Sequence, residues 1–243
     1  MIRFVNILMR LFPAAILARL VGLAVAARAR GLAADDGLRF LFAVQARLDN
    51  ALAEGAVRYG KGVHPKHRHM RYHDFFVAHV AAGQRVLDVG CGNGYLAWRI
   101  AADADAKVVG VDIVDSNVEK AKKLHAHPRA QFRVGDILRE IPDGHFDVIV
   151  MSNVLEHLPD RAALLRRIAA ATGASRFVIR VPNFERDWTV PLKKELAIDW
   201  RSDSTHETEH TPAEFDAEMR EAGLVVRDCK LCWGEIWAVA EPR

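Results

Sequence analysis

The chain is expected to fold as a doubly wound α/β domain, a mostly parallel sheet with helices on both faces, carrying a helical extension at its N-terminus. Three observations predict this. Short runs rich in valine and isoleucine alternate with helical stretches through residues 86–181, the pattern of crossover units in a parallel sheet. Four of these runs end in an acid, a serine or a glycine, and open α/β sheets bind their ligands at the carboxyl ends of their strands. A chain of 243 residues with 51% hydrophobic content also has enough apolar side chain for one sizeable core plus an appendage.

The first run leads into Asp88-Val89-Gly90-Cys91-Gly92-Asn93-Gly94-Tyr95. Glycines at a strand-to-helix turn accept positive φ and let a ligand reach main-chain N–H groups. A dinucleotide loop wants glycine at its first, third and sixth positions, whereas here the sixth is Tyr95 and the third glycine comes early, at Gly94. Asp88 would repel a pyrophosphate and hold a cation, which favours S-adenosylmethionine, a ligand with a sulfonium, an ammonium and no phosphate. The second run, 107–112, ends at Asp112, suited to accept both ribose hydroxyls. Ser116-Asn117-Val118-Glu119 reads as a capping box for the next helix. The third run, 131–134, meets Gly135-Asp136-Ile137, an acceptor with an apolar flank for an adenine, and the fourth, 146–151, meets Ser152-Asn153-Val154-Leu155-Glu156-His157. A helix over 161–171, with Leu164, Leu165 and Ile168 at helical spacing, leads to a fifth strand at 176–181. Thr211-Pro212-Ala213-Glu214 caps a helix that stops at Gly223, and strands at 224–232 and 236–240 close the chain around Trp233-Gly234-Glu235.

Through roughly residues 65–240 the chain resembles the class I S-adenosylmethionine-dependent methyltransferases, in the group that acts on small molecules, sugars and lipids. Asp88 to Gly94 looks like that family's first motif, Asp112 its ribose acid, Gly135-Asp136-Ile137 its adenine motif, and Ser152 to His157 its segment after strand 4. The resemblance implies a Rossmann-like seven-stranded sheet in the order 3-2-1-4-5-7-6 with the last strand antiparallel. It places a methyltransferase domain at 61–243 and a helical extension at 1–60. S-adenosyl-L-methionine is the implied cofactor, with Asp88, Gly90, Cys91, Gly92, Asp112, Ile113, Asp136, Ile137, Ser152 and Asn153 as its contacts.

Methyl transfer from a sulfonium is an in-line displacement, so positioning supplies much of the catalysis. A hydroxyl acceptor must also lose its proton, and histidine titrates in the right range. His206 is the favoured base or acceptor ligand, from a loop where similar sequences often carry a histidine facing the acceptor. His157 follows strand 4 and is the second candidate, and His210 a weaker one. In ubiquinone-pathway and small-RNA methyltransferases a Glu-x-x-Glu-His segment holds a metal. Here Asn153 replaces the first glutamate, so no metal is expected. The anticipated acceptor is a small molecule, a saccharide or a glycolipid intermediate. Residues 182–200, with Phe184, Arg186, Trp188, Lys193, Lys194 and Trp200, read either as a lid over a sugar or ring or as a structural excursion. A methyltransferase-like scaffold without turnover is the rival class. A nicotinamide oxidoreductase is disfavoured by Asp88, the glycine spacing and the terminal strand pair.

A net charge of +3 gives no ground for nucleic-acid binding. Three cysteines make no disulfide framework and suggest a reducing compartment. Cys229 and Cys232 have C-x-x-C spacing, yet in a strand they point to opposite faces. Residues 61–69 with His73 are rich in histidine, and Arg68 and Tyr72 are candidate contacts over the cofactor cleft. Residues 1–34 hold Arg3, Arg10, Arg19, Arg28 and Arg30 and no acid, and their apolar stretches are too short to span a bilayer. Three readings stand for this segment: a peripheral membrane contact, packing on the core or a dimer partner, and a cleavable mitochondrial-type presequence. The expected location is cytoplasmic, including the inner face of a membrane. A further helix is expected at 35–60.

Overall fold

The computed structural model describes residues 12–243, so Arg3 and Arg10 lie outside the described residues. Two compact units emerge, one running up to His67 and taking in Glu195–Ile198, the other made of Arg68–Lys194 and Asp199–Arg243.

The first unit is built on two packed helices, α1 (Ala14–Arg30) and α2 (Ala34–Tyr59). Pro13 stands just before α1 rather than inside a longer helix, where its missing N–H costs nothing. Gly60 follows the end of α2. The helices meet where Gly37 faces Ala29, since a Cβ at Gly37 would lie 2.8 Å from the Ala29 carbonyl oxygen. Arg39 Nη1 donates to the Leu196 carbonyl at 2.7 Å within the same unit.

After a short helix α3 (Lys66–Met70), the second unit runs α4 (Tyr72–Ala78), β1 (Arg85–Val89), α5 (Tyr95–Asp103), β2 (Lys107–Asp112), α6 (Asp115–Leu124), β3 (Ala130–Val134) and β4 (Val148–Ser152). It continues through a 3₁₀ turn (Leu155–His157), α7 (Arg161–Thr172), β5 (Arg176–Pro182), α8 (Thr189–Glu195), α9 (Pro212–Glu221), β6 (Leu224–Cys232) and β7 (Glu235–Pro242). The strands form one sheet ordered β3-β2-β1-β4-β5-β7-β6. All neighbours pair in parallel except β7, which is antiparallel to both β5 and β6. This is the expected sheet and the expected order.

Alternation along the strands divides the core in two. Leu87, Val89, Ile149, Met151, Phe177 and Ile179 point to one face, packed with Leu165 and Ile168 of α7 and Phe215 and Met219 of α9. Val86, Val108, Val148, Val150 and Val178 point to the other, packed with Phe76 of α4 and Ile100 of α5. Both faces of the central strands are therefore buried, which is why those strands read as continuous apolar runs. Fully buried side chains such as Phe76, Phe177 and Phe215 each contribute about 1.5–3 kcal/mol by leaving water.

Some element boundaries differ from expectation. Phe146 and Asp147 fall outside β4: the Phe146 N–H donates to Thr172 O (3.0 Å), and an Asp147 carboxylate oxygen accepts the Arg85 N–H (2.7 Å). Helix α6 begins at Asp115, with no side-chain cap from Ser116. Its first turn is organised by Asp112 instead, which accepts from the Val114 N–H and the Asn117 amide. The box at Thr211 forms as expected, with Thr211 and Glu214 bonding each other's backbone N–H.

Gly94, at the start of α5, has φ of +79°, and a Cβ there would lie 2.6 Å from Ala121 Cβ and 2.7 Å from a Phe132 ring carbon. Gly94→Ala is expected to cost about 3 kcal/mol through strain and overpacking. Urea titration will show this as a lowered midpoint at unchanged slope; a change under 1 kcal/mol would contradict the packing described.

Candidate functional site

The loop after β1 carries three alternating departures to positive φ, Gly90 (+66°), Gly92 (+54°) and Gly94 (+79°). A Cβ at Gly92 would meet nothing within 4 Å, whereas at Gly90 it would lie 2.6 Å from Val154 Cγ2. The segment after β4 therefore packs directly on the glycine loop. The Cys91 N–H donates to Val111 O at 3.0 Å, and its buried thiol rests against Gly110, so this residue fastens the loop to β2. Burial, with Asp88 and Asp112 nearby, pushes the thiol pKa up.

Asp112, at the end of β2, is buried and braces the site. Its Oδ2 accepts the Gly92 N–H (2.8 Å), and its Oδ1 accepts from Val114 N–H (2.9 Å) and the Asn117 side chain (3.2 Å). A carboxylate has about four acceptor positions, so one is left for a hydroxyl, and gripping two would displace a present donor. Ile113 beside it is exposed. Asp136 is turned to its own loop, accepting the Leu138 N–H at 3.0 Å and facing Arg139 Nε at 3.2 Å, and Ile137 is buried in the core. Ser152 ends β4, and Asn153 follows with φ of +56°, its Oδ1 accepting from Arg180 Nε at 2.7 Å.

Asp88 lies on β1 at 1% exposure, and its Oδ2 has no hydrogen-bond partner. Burial, reinforced by the Asp112 carboxylate, pushes its pKa up to about 8. A buried carboxylate oxygen without a donor calls for a cationic partner. That orphaned oxygen, the open backbone at Gly92 and the remaining acceptor position on Asp112 fit S-adenosylmethionine, with its ammonium, sulfonium and ribose.

A second group of side chains lies beside this loop. Glu156 is fully buried with both carboxylate oxygens unpartnered; burial lifts its pKa to about 8, against the pull of Arg180. Its main-chain carbonyl accepts the N–H groups of Glu207 (2.7 Å) and Thr208 (3.2 Å), which fastens the 202–210 loop over the segment. The loop thereby sets His206 edge-on to His157, ring centroids 4.6 Å apart. Ligand atoms of Glu156, His157 and His206 all lie within 4.8 Å of one another. The expectation of no metal weighed only the local segment around Asn153; the third donor comes from a loop far along the chain.

His206 is buried and bonds through Nδ1 to Glu209 Oε1 at 2.8 Å, which leaves Nε2 for another partner. Glu209 itself is fixed by the Ser202 N–H and hydroxyl and by Arg186. Burial alone would raise its pKa, but those bonds and His206 hold it below the usual carboxylate range. Arg186 also donates to Trp200 O (2.9 Å), and Lys194 lies 5.2 Å from the ring centres of both Phe184 and Trp200. These cations of the 182–200 insertion are thus engaged within the protein, while Trp188 is exposed. His210 pairs with Glu218 at 3.1 Å and anchors α9. His157 Nδ1 lies 3.1 Å from Thr205 Oγ1.

Arg180 and Glu209 were not singled out from sequence. Arg180, on β5, is buried, lies 3.3 Å from Glu235 and stacks 3.8 Å above the Tyr72 ring. Its Nη1 is buried without a partner. Tyr72 belongs to this cluster, and burial raises its hydroxyl pKa. His73 is buried, its ring centroid 3.8 Å from that of Tyr72 and 4.8 Å from that of Tyr95.

A family model described as a methyltransferase domain matches residues 27–228. Ubiquinone biosynthesis O-methyltransferase from Bordetella parapertussis is 32% identical over 153 residues, 59% of this chain and 63% of that protein. The Neisseria meningitidis serogroup A enzyme of the same name is 33% identical over 162 residues, 61% and 66%. The chain thus spans a little under two thirds of these relatives' length. The 27-O-demethylrifamycin SV methyltransferase of Amycolatopsis mediterranei is 39% identical over 93 residues, 36% of this chain and 34% of that one. Among solved structures, magnesium protoporphyrin IX methyltransferase of Synechocystis with bound S-adenosylhomocysteine superposes with a TM-score of 0.57 at 20% identity, covering 72% of this chain and 84% of that one. At that identity the likeness is one of fold. With the family match spanning most of the chain, the protein belongs to the methyltransferase-domain family, among the class I S-adenosylmethionine-dependent methyltransferases.

Proposed function

We propose that this chain methylates a hydroxyl oxygen of a small acceptor, with His206 as the base, and that residues 61–243 carry the reaction. The observation behind this reading is the buried His206–Glu209 pair beside His157. A carboxylate on Nδ1 fixes the ring's tautomer and orientation and leaves Nε2 to take a proton. S-adenosylmethionine, when bound, supplies a methyl group on a cationic sulfur. The chain's own part is to hold the cofactor through Asp88, Asp112 and the glycine loop, to orient the acceptor, and to receive the hydroxyl proton on His206 as the O–C bond forms. Relatives named for O-methylation support the choice of oxygen. A saccharide or glycolipid intermediate remains the acceptor class we favour.

The test is incubation with methyl-labelled S-adenosylmethionine and a panel of phenols, saccharides and glycolipids. Label in an alkali-stable product, with S-adenosylhomocysteine formed in equal amount, supports the reading. Folded, cofactor-binding protein that labels nothing on the panel would move weight to a scaffold. In calorimetric titration, Asp112→Asn is expected to raise the Kd for S-adenosylhomocysteine about tenfold or more, since it removes a charged acceptor.

A second reading is favoured by the two unpartnered oxygens of Glu156. Glu156, His157 and His206 offer one carboxylate and two imidazoles, a donor set suited to a first-row divalent ion, and the Glu209 bond to His206 is what a metal-bound histidine usually makes. In this reading Glu156, His157 and His206 would hold the ion, which would supply Lewis-acid chemistry toward the acceptor hydroxyl. Dialysis against a chelator separates the two: activity lost and then restored by Mn²⁺ or Zn²⁺ favours the metal, and unchanged activity favours the base.

A further inference from the structure

We infer that α1 docks the chain on an anionic lipid surface. None of its seventeen residues is buried, although most are apolar. Phe12, Ile16, Leu20 and Leu23 are 45%, 50%, 51% and 59% exposed. At 100° per residue the three that belong to the helix, Ile16, Leu20 and Leu23, fall within an arc of about 60°, and Phe12 precedes the helix. The half-buried positions Leu17, Val25, Ala26 and Ala29 fall about 60° or more outside that arc, Ala29 being where α1 meets Gly37 of α2. One side of α1 thus belongs to the helix pair, and another carries an apolar stripe that stays about half exposed. Val21 is also exposed, off the stripe.

Charge names the occupant. On the same wheel Arg19 and Arg30 fall at or beside the edge of the stripe, and Arg28 lies elsewhere on the helix. No acid occurs before Asp35 and Asp36 at the start of α2. A second copy of this chain would bring the same cations against these, whereas a bilayer containing anionic phospholipid offers apolar depth and negative headgroups together. No helix among the described residues is long and apolar enough to cross a membrane, so α1 would lie in the interface plane. Most of α1 also precedes residue 27, where the family match begins.

The experiment is vesicle flotation of the full chain with phosphatidylglycerol–phosphatidylcholine vesicles and with phosphatidylcholine alone, alongside Ile16→Ser/Leu20→Ser and Arg19→Gln/Arg30→Gln. Expected are binding to the anionic vesicles, loss of more than tenfold in the serine variant, and loss of about tenfold or more in the glutamine variant, since each arginine near such a surface contributes about a factor of five. Unaltered circular dichroism and S-adenosylhomocysteine binding keep folding out of the result. Absence of flotation by the folded chain overturns the proposal. So does flotation unchanged by the serine substitutions, or a dimer in sedimentation that those substitutions dissolve while no vesicle binding is seen. These readouts do not depend on methyl transfer.

Discussion

Asp88→Asn is expected to stabilise the cofactor-free protein while weakening its hold on the cofactor. The Asp88 carboxyl has a folded pKa of about 8 because burial, and then Asp112, oppose its ionisation. The unfolded chain ionises it near the ordinary 3.8. Between these values the folded state carries the extra proton, so this group's favourable contribution, complete below the unfolded pKa, fades by about 1.4 kcal/mol per pH unit until pH passes the folded pKa. A neutral amide removes that loss. The variant should therefore melt above the parent at pH 8, with the difference shrinking toward pH 4. The parent's affinity for S-adenosylmethionine should rise as pH approaches 8, because a cation recruits the carboxylate form. The variant should lack that rise and bind about 10- to 100-fold more weakly, the worth of a charged hydrogen bond. Calorimetric titration across pH checks both. An equal loss with S-adenosylhomocysteine would assign Asp88 to the ammonium; a loss confined to S-adenosylmethionine would assign it to the sulfonium. A variant less stable than its parent at pH 8 would refute the account of Asp88.

The other large effect is expected at His206. His206→Ala should lower kcat by about 100- to 10,000-fold, the usual range for a general base, with cofactor affinity unchanged, since the glycine loop and Asp112 are untouched. Glu209→Gln keeps the shape and removes the charge that orients the ring. It should cost about 10- to 100-fold, as loss of such supporting partners does, and shift the pH–rate profile, which a purely structural defect would not do. If His206 instead binds an ion, His206→Ala should lower metal content in parallel with activity. Unchanged kcat in His206→Ala would remove the residue from the chemistry altogether.

Much of this fold was legible in the sequence because it rests on local signals. Strand β2 occupies the very residues that read as a β-branched run ending in an acid, and the three glycines of the loop all take positive φ. The capped helix at Thr211 and the turn at Trp233 and Gly234 follow from short-range chemistry in the same way. What escaped notice is long-range. Arg186 and Glu209 stand 23 residues apart in the chain, and no periodicity marks two loop residues that meet only after folding. The Ser116 box failed for a related reason: an acid at the end of the preceding strand took over the first turn of α6. Glu156 stands out in sequence only as the second glutamate of a Glu-x-x-Glu-His-like segment, while its burial and the loop that closes over it come from the fold.

That closure has a consequence for how such an enzyme changes its substrate. The loop bearing His206 is held at Glu156 through main-chain groups, a carbonyl receiving two successive amides, and main-chain groups are the same in every residue except proline. Side chains of this loop other than Ser202 and His206, which engage Glu209, can therefore be exchanged without undoing the stitch, provided 207 and 208 keep their N–H groups, while the cofactor loop sits on separate strands with its own braces. On the proposed function, selection, or a library confined to the rest of this loop, can explore new acceptors while His206 and the cofactor loop stay in place.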